Sequence, residues 1–162
     1  MLNLDHAVFP VSDAEASLDF YGGVLGLPLV GAVTGDDWGG KAWLMLIFGL
    51  ADGRELVLVA ARGARAPSLG DLAPDMRHYA FSVDTAAEQD AWRAKLRSAG
   101  IAFCEEDHGH QRSIYFPDPD GVILEFTTPP SATPQVAVPA ALTKARAWIA
   151  AAQGLGQPAL TG

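Results

Sequence analysis

Four residues in this 162-residue chain have the types and spacing of a metal centre: His6, Glu55, His78 and Glu125. From His6 to Glu55 is 49 positions, and from His78 to Glu125 is 47. Glu125 interrupts an apolar run in "VILEF", and Glu55 opens one in "ELVLVAA". A buried carboxylate without a partner is costly, and a cation is one way to remove that cost. Neutral imidazole nitrogen with carboxylate oxygen suits Zn, Ni, Co, Mn or Fe(II).

The elements that must position these four follow from periodicity. Alternation predicts strands at 3–11, 42–49, 54–60, 77–83, 112–116 and 122–128, with shorter ones at 29–34 and 101–104. Residues 13–25 read as a helix capped by Ser12 or Asp13, with Ala16, Phe20 and Val24 on one face. Residues 85–98 read as a second helix, stopped by Gly100. A turn at Gly121 makes a hairpin of the last two strands. The order strand, helix, strands occurs twice, and "HAVFPVSDAEASLDFY" (6–21) lies over "HYAFSVDTAAEQDAWR" (78–93) without a gap. The expected fold is α+β: two βαβββ modules, about 2–60 and 76–128, forming a curled, mostly antiparallel sheet with helices on one face. Between them lies the Ala-, Gly- and Pro-rich linker "ARGARAPSLGDLAPD".

Side chains alternate faces along a strand. His6 then goes with Leu4 and Val8, His78 with Ala80 and Ser82, Glu55 with Val57 and Val59, and Glu125 with Ile123 and Thr127. The bulkier opposite sets of the opening strands meet the helices, so the His and Glu sets converge on the concave side. Beyond the modules, 129–138 reads as an extended Pro-rich connector. Residues 139–154 read as a helix with Pro139 in its first turn and Gly154 as its stop. Its stripe of Leu142, Ala145, Ile149 and Ala152 packs on its own domain or on a partner subunit. "GLGQPALTG" reads as a flexible terminus.

Composition narrows the partners. Apolar residues make up 49% of the chain, enough for a packed core. The net charge is −8 and the 11 Lys and Arg residues are scattered, which argues against nucleic acid and anionic membrane surfaces. No apolar run approaches the roughly 18 residues of a membrane span. "MLNLDHAVFP" lacks the basic start and apolar core of a secretory signal, and Cys104, the only cysteine, can form no internal disulfide. A cytoplasmic protein acting on a small molecule is expected. No phosphate-binding glycine loop or nucleophilic serine elbow is present.

"LDHAVFPVSDAEASLDFYGGVLGLPL", "MRHYAFSVDTAAEQDAW" and "IYFPDPDGVILEF" together resemble the vicinal oxygen chelate superfamily over residues 2–128. That group contains glyoxalase I, methylmalonyl-CoA epimerase, extradiol dioxygenases and the fosfomycin and bleomycin resistance proteins. The resemblance implies one divalent metal per site, chelating a substrate with neighbouring oxygens. His6, Glu55, His78 and Glu125 look like the four-ligand set of glyoxalase I, which implies a lyase or isomerase working through an enediolate. Ni, Zn or Co would be favoured, with Fe(II) or Mn as alternatives. The general base would be Glu125, with Glu55 next. Bacterial glyoxalase I enzymes tend to carry Arg four positions after the first His and Asn four after the first Glu, both holding glutathione. Here Pro10 and Val59 occupy those positions.

Arg112 and Tyr115 are candidate substrate contacts, Arg112 for an anionic group. A rival reading is an Fe(II) extradiol-type dioxygenase using His6, His78 and Glu125, with His108, His110 and Tyr115 as acid–base groups; the segment 105–112 is otherwise an exposed polar loop. A non-catalytic binder lined by Trp38, Trp43, Phe48 and Tyr115 is a third. The superfamily offers sites within one chain and sites shared between chains, and a homodimer is expected.

Overall fold

The computed structural model describes residues 4–68, 70, 72–130 and 139–154. The connector at 131–138 and the terminus from 155 lie outside the described residues. Contacts divide the chain into two units, Met1–Ser131 and Ala132–Gly162.

The first unit contains both modules. In the first, β1 (His6–Val11), α1 (Ala14–Leu18), β2 (Leu29–Gly35), β3 (Trp43–Gly49) and β4 (Glu55–Ala61) form a sheet of order β1-β4-β3-β2. In the second, β5 (His78–Ser82), α2 (Ala86–Ser98), β6 (Cys104–Asp107), β7 (Arg112–Pro117) and β8 (Ile123–Thr128) form β5-β8-β7-β6. The first and last strands of each module pair parallel, because a helical crossover separates them; the other pairs are antiparallel. The two expected βαβββ modules are present, each forming its own four-stranded mixed sheet. β6 starts at Cys104 rather than ending there, so Glu105–Asp107 are strand and not loop.

Local signals explain the helix ends. The Asp13 carboxylate accepts from the backbone N–H groups of Glu15 and Ala16, capping α1. Past Leu18 the helix widens into a π-turn, Asp19–Val24, and the adjacent Phe20 and Tyr21 both become buried. α2 opens with a reciprocal capping box between Thr85 and Glu88. Gly100, at φ 72°, takes the left-handed conformation that ends it.

One apolar core runs through both modules on their helix-facing sides, from Phe9, Tyr21, Phe48 and Leu58 to Phe116, Leu124 and Phe126. Phe9 of β1 stacks on Tyr79 of β5, with ring centroids 4.9 Å apart. Tyr21 donates a 2.8 Å hydrogen bond to Asp118 in the β7–β8 turn, and the Ser12 N–H donates to Asp120 in the same turn. α2 is pinned to its sheet by buried Gln89, whose amide donates to the carbonyls of Arg112 and Phe126.

The second unit is described as α3 (Pro139–Gly154), on which Leu142, Trp148 and Ile149 are exposed. Among the described residues no helix is long and apolar enough to cross a membrane.

Candidate functional site

Each sheet turns one face to its helix and leaves the other open. In the first module, register puts His6 beside Glu55, Val8 beside Val57 and Pro10 beside Val59. Trp43, Met45 and Ile47 continue this face across β3, opposite Ala61, Val59 and Val57. In the second module the open face carries His78, Ala80 and Ser82 on β5, then Ile123, Glu125 and Thr127 on β8. Ser113 and Tyr115 of β7 lie beside Thr127 and Glu125. All four residues singled out by the repeat therefore sit on open faces, one His–Glu pair to each sheet.

The second pair is in contact: His78 Nε2 lies 3.1 Å from Glu125 Oε2. The other carboxylate oxygen of Glu125 accepts from the Ser113 hydroxyl. His78 Nδ1 is bonded to the Asp75 carbonyl at 2.8 Å, which fixes the ring and turns Nε2 toward the glutamate. Glu125 is only 7% exposed. His6 is exposed, with Nδ1 2.7 Å from Asp5 Oδ1, and Glu55 is half-buried. Among the described residues of one chain no three His, Cys, Asp or Glu side chains group as a metal ion needs.

On the His78 side of this pair is a cavity of about 470 Å³, lined among others by His78, Cys104, Glu106, His108, Tyr115 and Ile123. Tyr115 stands edge-on to His78, centroids 5.7 Å apart, and its hydroxyl is 3.0 Å from His108 Nε2. Burial, with the Glu125 carboxylate adding to it, pushes the Tyr115 phenol above its usual range. His110 Nδ1 is bonded to the His108 carbonyl within this loop. Arg112 shares the helix-facing side of β7 with Ile114 and Phe116, the side opposite Tyr115 and Glu125.

The aromatic candidates divide. Phe48 is fully buried in the core. Trp38 and Trp43 meet edge-to-face, 5.4 Å apart, and line a separate cavity of about 270 Å³ on the first module's open face. Sequence reasoning missed the Tyr21–Asp118 bond that joins the modules. Its signal is the aspartate-rich turn "DPDG", which marks a hairpin and carries part of the family resemblance but does not by itself reveal the acceptor for Tyr21.

The sequence model of the glyoxalase/bleomycin resistance protein/dioxygenase superfamily matches residues 3–126. Among solved structures, a glyoxylase/bleomycin resistance protein/dioxygenase domain from Frankia sp. EAN1pec is 22% identical, with 78% of this chain and 97% of that one covered and a TM-score of 0.63. A glyoxalase family protein from Enterococcus faecalis is 24% identical, with 77% and 96% covered and a TM-score of 0.58. A fosfomycin resistance protein from Listeria monocytogenes, solved as a mutant with Mn(II) and 1S,2S-dihydroxypropylphosphonic acid, is 18% identical, with 80% and 94% covered and a TM-score of 0.58. These likenesses carry the fold. By the match over residues 3–126, this chain belongs to the glyoxalase/bleomycin resistance protein/dioxygenase superfamily.

Proposed function

We propose that the protein is a divalent-metal-dependent lyase or isomerase of the glyoxalase type, acting on a small substrate with neighbouring oxygens. The observation that carries this reading is the presence of repeat-equivalent His–Glu pairs on the open faces of both sheets, one of them already in contact at 3.1 Å. His6, Glu55, His78 and Glu125 would hold the ion, which suits their mixed nitrogen and oxygen donors. Since one chain does not gather three of them, the pair of one module meets the complementary pair of a second copy, and the working unit is a homodimer.

The metal, when bound, supplies Lewis acidity to the substrate oxygens. The chain supplies the rest. Glu125 carries the proton between neighbouring substrate atoms, held in place by Ser113 on one oxygen. Tyr115 and His108 line the wall beside it. With Pro10 and Val59 on the open face, that face offers glutathione no guanidinium or carboxamide at these positions.

The untagged protein is expected to bind Ni, Zn or Co at one ion per site, to sediment as a dimer, and to lose the metal in His78→Ala. Full metal-free activity, or no stoichiometric metal in the folded protein, would falsify the reading. The His108–Tyr115 contact next to His78 and Glu125 favours a second reading, an Fe(II) extradiol dioxygenase. Iron in the purified chain, with oxygen uptake on a catechol, would select it.

A further inference from the structure

The open face of the first module ends in a feature that the metal ligands do not use. At the far end of β1, β3 and β4 from His6 and Glu55, the cavity of about 270 Å³ is lined by Val8, Pro10, Val59, Trp38, Trp43 and Arg65, among others. The two indoles meet at 84°, forming a corner rather than a stack. Such a corner offers one flat face and one edge to a third ring.

The corner is held from several sides. Gly35 is the register partner of Trp43, and a Cβ there would fall 2.6 Å from the Trp43 ring. Only glycine therefore lets this indole lie against β2. The loop carrying Trp38 is closed by its N–H donating to the Lys41 carbonyl at 2.9 Å, and by the Gly40 N–H donating to Asp37. Gly39 and Gly40 take φ of 64° and 81°, open to glycine and strained for other residues. On the opposite rim, the segment with Arg65 is tied down by the Ala66 N–H donating to Ser12 Oγ at 2.9 Å and the Arg62 N–H donating to the Ala42 carbonyl at 2.8 Å. Trp38 is 53% exposed despite this bracing, and among the described residues Arg65 has no ion-pair partner. A braced, half-exposed tryptophan beside an unpaired guanidinium is a receiving surface rather than a finished one.

We propose that this trough is the subsite for a flat aromatic body of the substrate, two fused rings or more, with an anionic oxygen substituent at Arg65. Strand rise sets the length. Val59 lies four residues beyond Glu55 on the same face, roughly 13 Å along β4. A molecule whose neighbouring oxygens reach the His6–Glu55 end while its body fills the trough must be at least bicyclic. The inference rests on the proposed function for its substrate role, while occupation of the trough itself needs no metal.

The test uses the full chain stripped of metal, titrated with 2-naphthoate by calorimetry and by indole fluorescence. Saturable binding is expected, weakened about 10-fold or more in Trp38→Ala. Arg65→Gln should weaken 2-naphthoate to a similar extent and leave the neutral 2-naphthylmethanol within about twofold of wild type. Cyclohexanecarboxylate, of like charge but not flat, should bind at least about 10-fold more weakly. No saturable binding by the folded protein overturns the inference, and so does affinity unchanged in both variants. Zn binding measured on the same samples separates the two readings: metal without naphthoate removes this subsite alone, and naphthoate without metal removes the proposed chemistry alone.

Discussion

On the first module the open face is built from Val8, Val33, Met45, Ile47, Val57 and Val59; on the second its counterpart is built from Ser82, Ser113, Tyr115, Glu125 and Thr127. Polarity does not set burial here. Val8 and Val33 are 48% and 46% exposed although Val57 beside Val8 is buried, whereas Ser113 and Glu125 are 0% and 7% exposed although Ser82 on their face is exposed. The polar groups at the centre of the second face can be buried because they satisfy one another, Ser113 with Glu125 and with Thr127, and Glu125 with His78. Valines cannot do this, and an apolar face left in water is unfinished until something covers it. The two glutamates follow the same division. Glu55 comes two residues after its turn glycine, Gly53, and stands at the mouth of β4 opposite Gly49. Glu125 comes four residues after Gly121, inside β8 and opposite Tyr115. Two residues of strand conserve the face and change the depth, so one repeat yields a preorganised carboxylate and a loose one.

The largest test of that difference is metal binding in the two glutamate variants. Loss of a ligand exceeds the 10–100-fold typical of removing an outer partner, so Glu125→Ala should lower Zn affinity by about 100-fold or more. Glu55→Ala, which removes the less constrained carboxylate, should lower it less, by roughly 10-fold. Calorimetric titration reads both. Equal losses would mean that depth in the strand does not matter.

A second test addresses what joins the modules. Tyr21 is fully buried and donates to Asp118. Burial first, then the Asp118 carboxylate, pushes its phenol far above the ordinary 10.0. The folded chain therefore keeps a proton that the unfolded chain releases above pH 10, and stability falls as pH rises through that point, by about 1.4 kcal/mol per unit. Tyr21→Phe should cost about 2 kcal/mol at neutral pH and flatten the alkaline limb. Urea denaturation at pH 7 and at alkaline pH measures both. An alkaline limb as steep as wild type in Tyr21→Phe would assign that titration to another group.

Much of this was legible in the sequence, because it rests on local signals. The ungapped match of 6–21 with 78–93 gave the two modules, and period-two alternation put His6, Glu55, His78 and Glu125 on open faces. What alternation could not give is distance across strands. The spacings of 49 and 47 look alike, yet they place Glu55 opposite His6 and Glu125 opposite Ala80. Its position before the hairpin makes Arg112 a candidate substrate contact, whereas strand parity puts it on the helix side with Ile114. The partial burial of Trp43 and the exposure of Trp38 depend on Gly35 lying under one indole and a braced loop under the other. Both are tertiary facts with no periodic trace.

The smallest effect separates the modules most sharply. Ser113 and Thr127 flank Glu125, whereas Ile47 and Val57 are the residues that correspond to them beside Glu55, offset by the same two positions. If the Ser113 hydroxyl is what holds the Glu125 carboxylate ready, Ser113→Ala should lower Zn affinity by roughly 10-fold. It should also lower metal-free stability by about 1 kcal/mol, since a buried carboxylate oxygen loses its donor. Saturating Zn should restore part of that stability through linkage. Adding a hydroxyl in the other module, by Val57→Thr, should raise Zn affinity little, because Glu55 lies at the strand mouth within reach of water. A Ser113→Ala protein that binds Zn as tightly as wild type would show that His78 alone orients Glu125. The polar face would then owe its burial to packing rather than to readiness for metal.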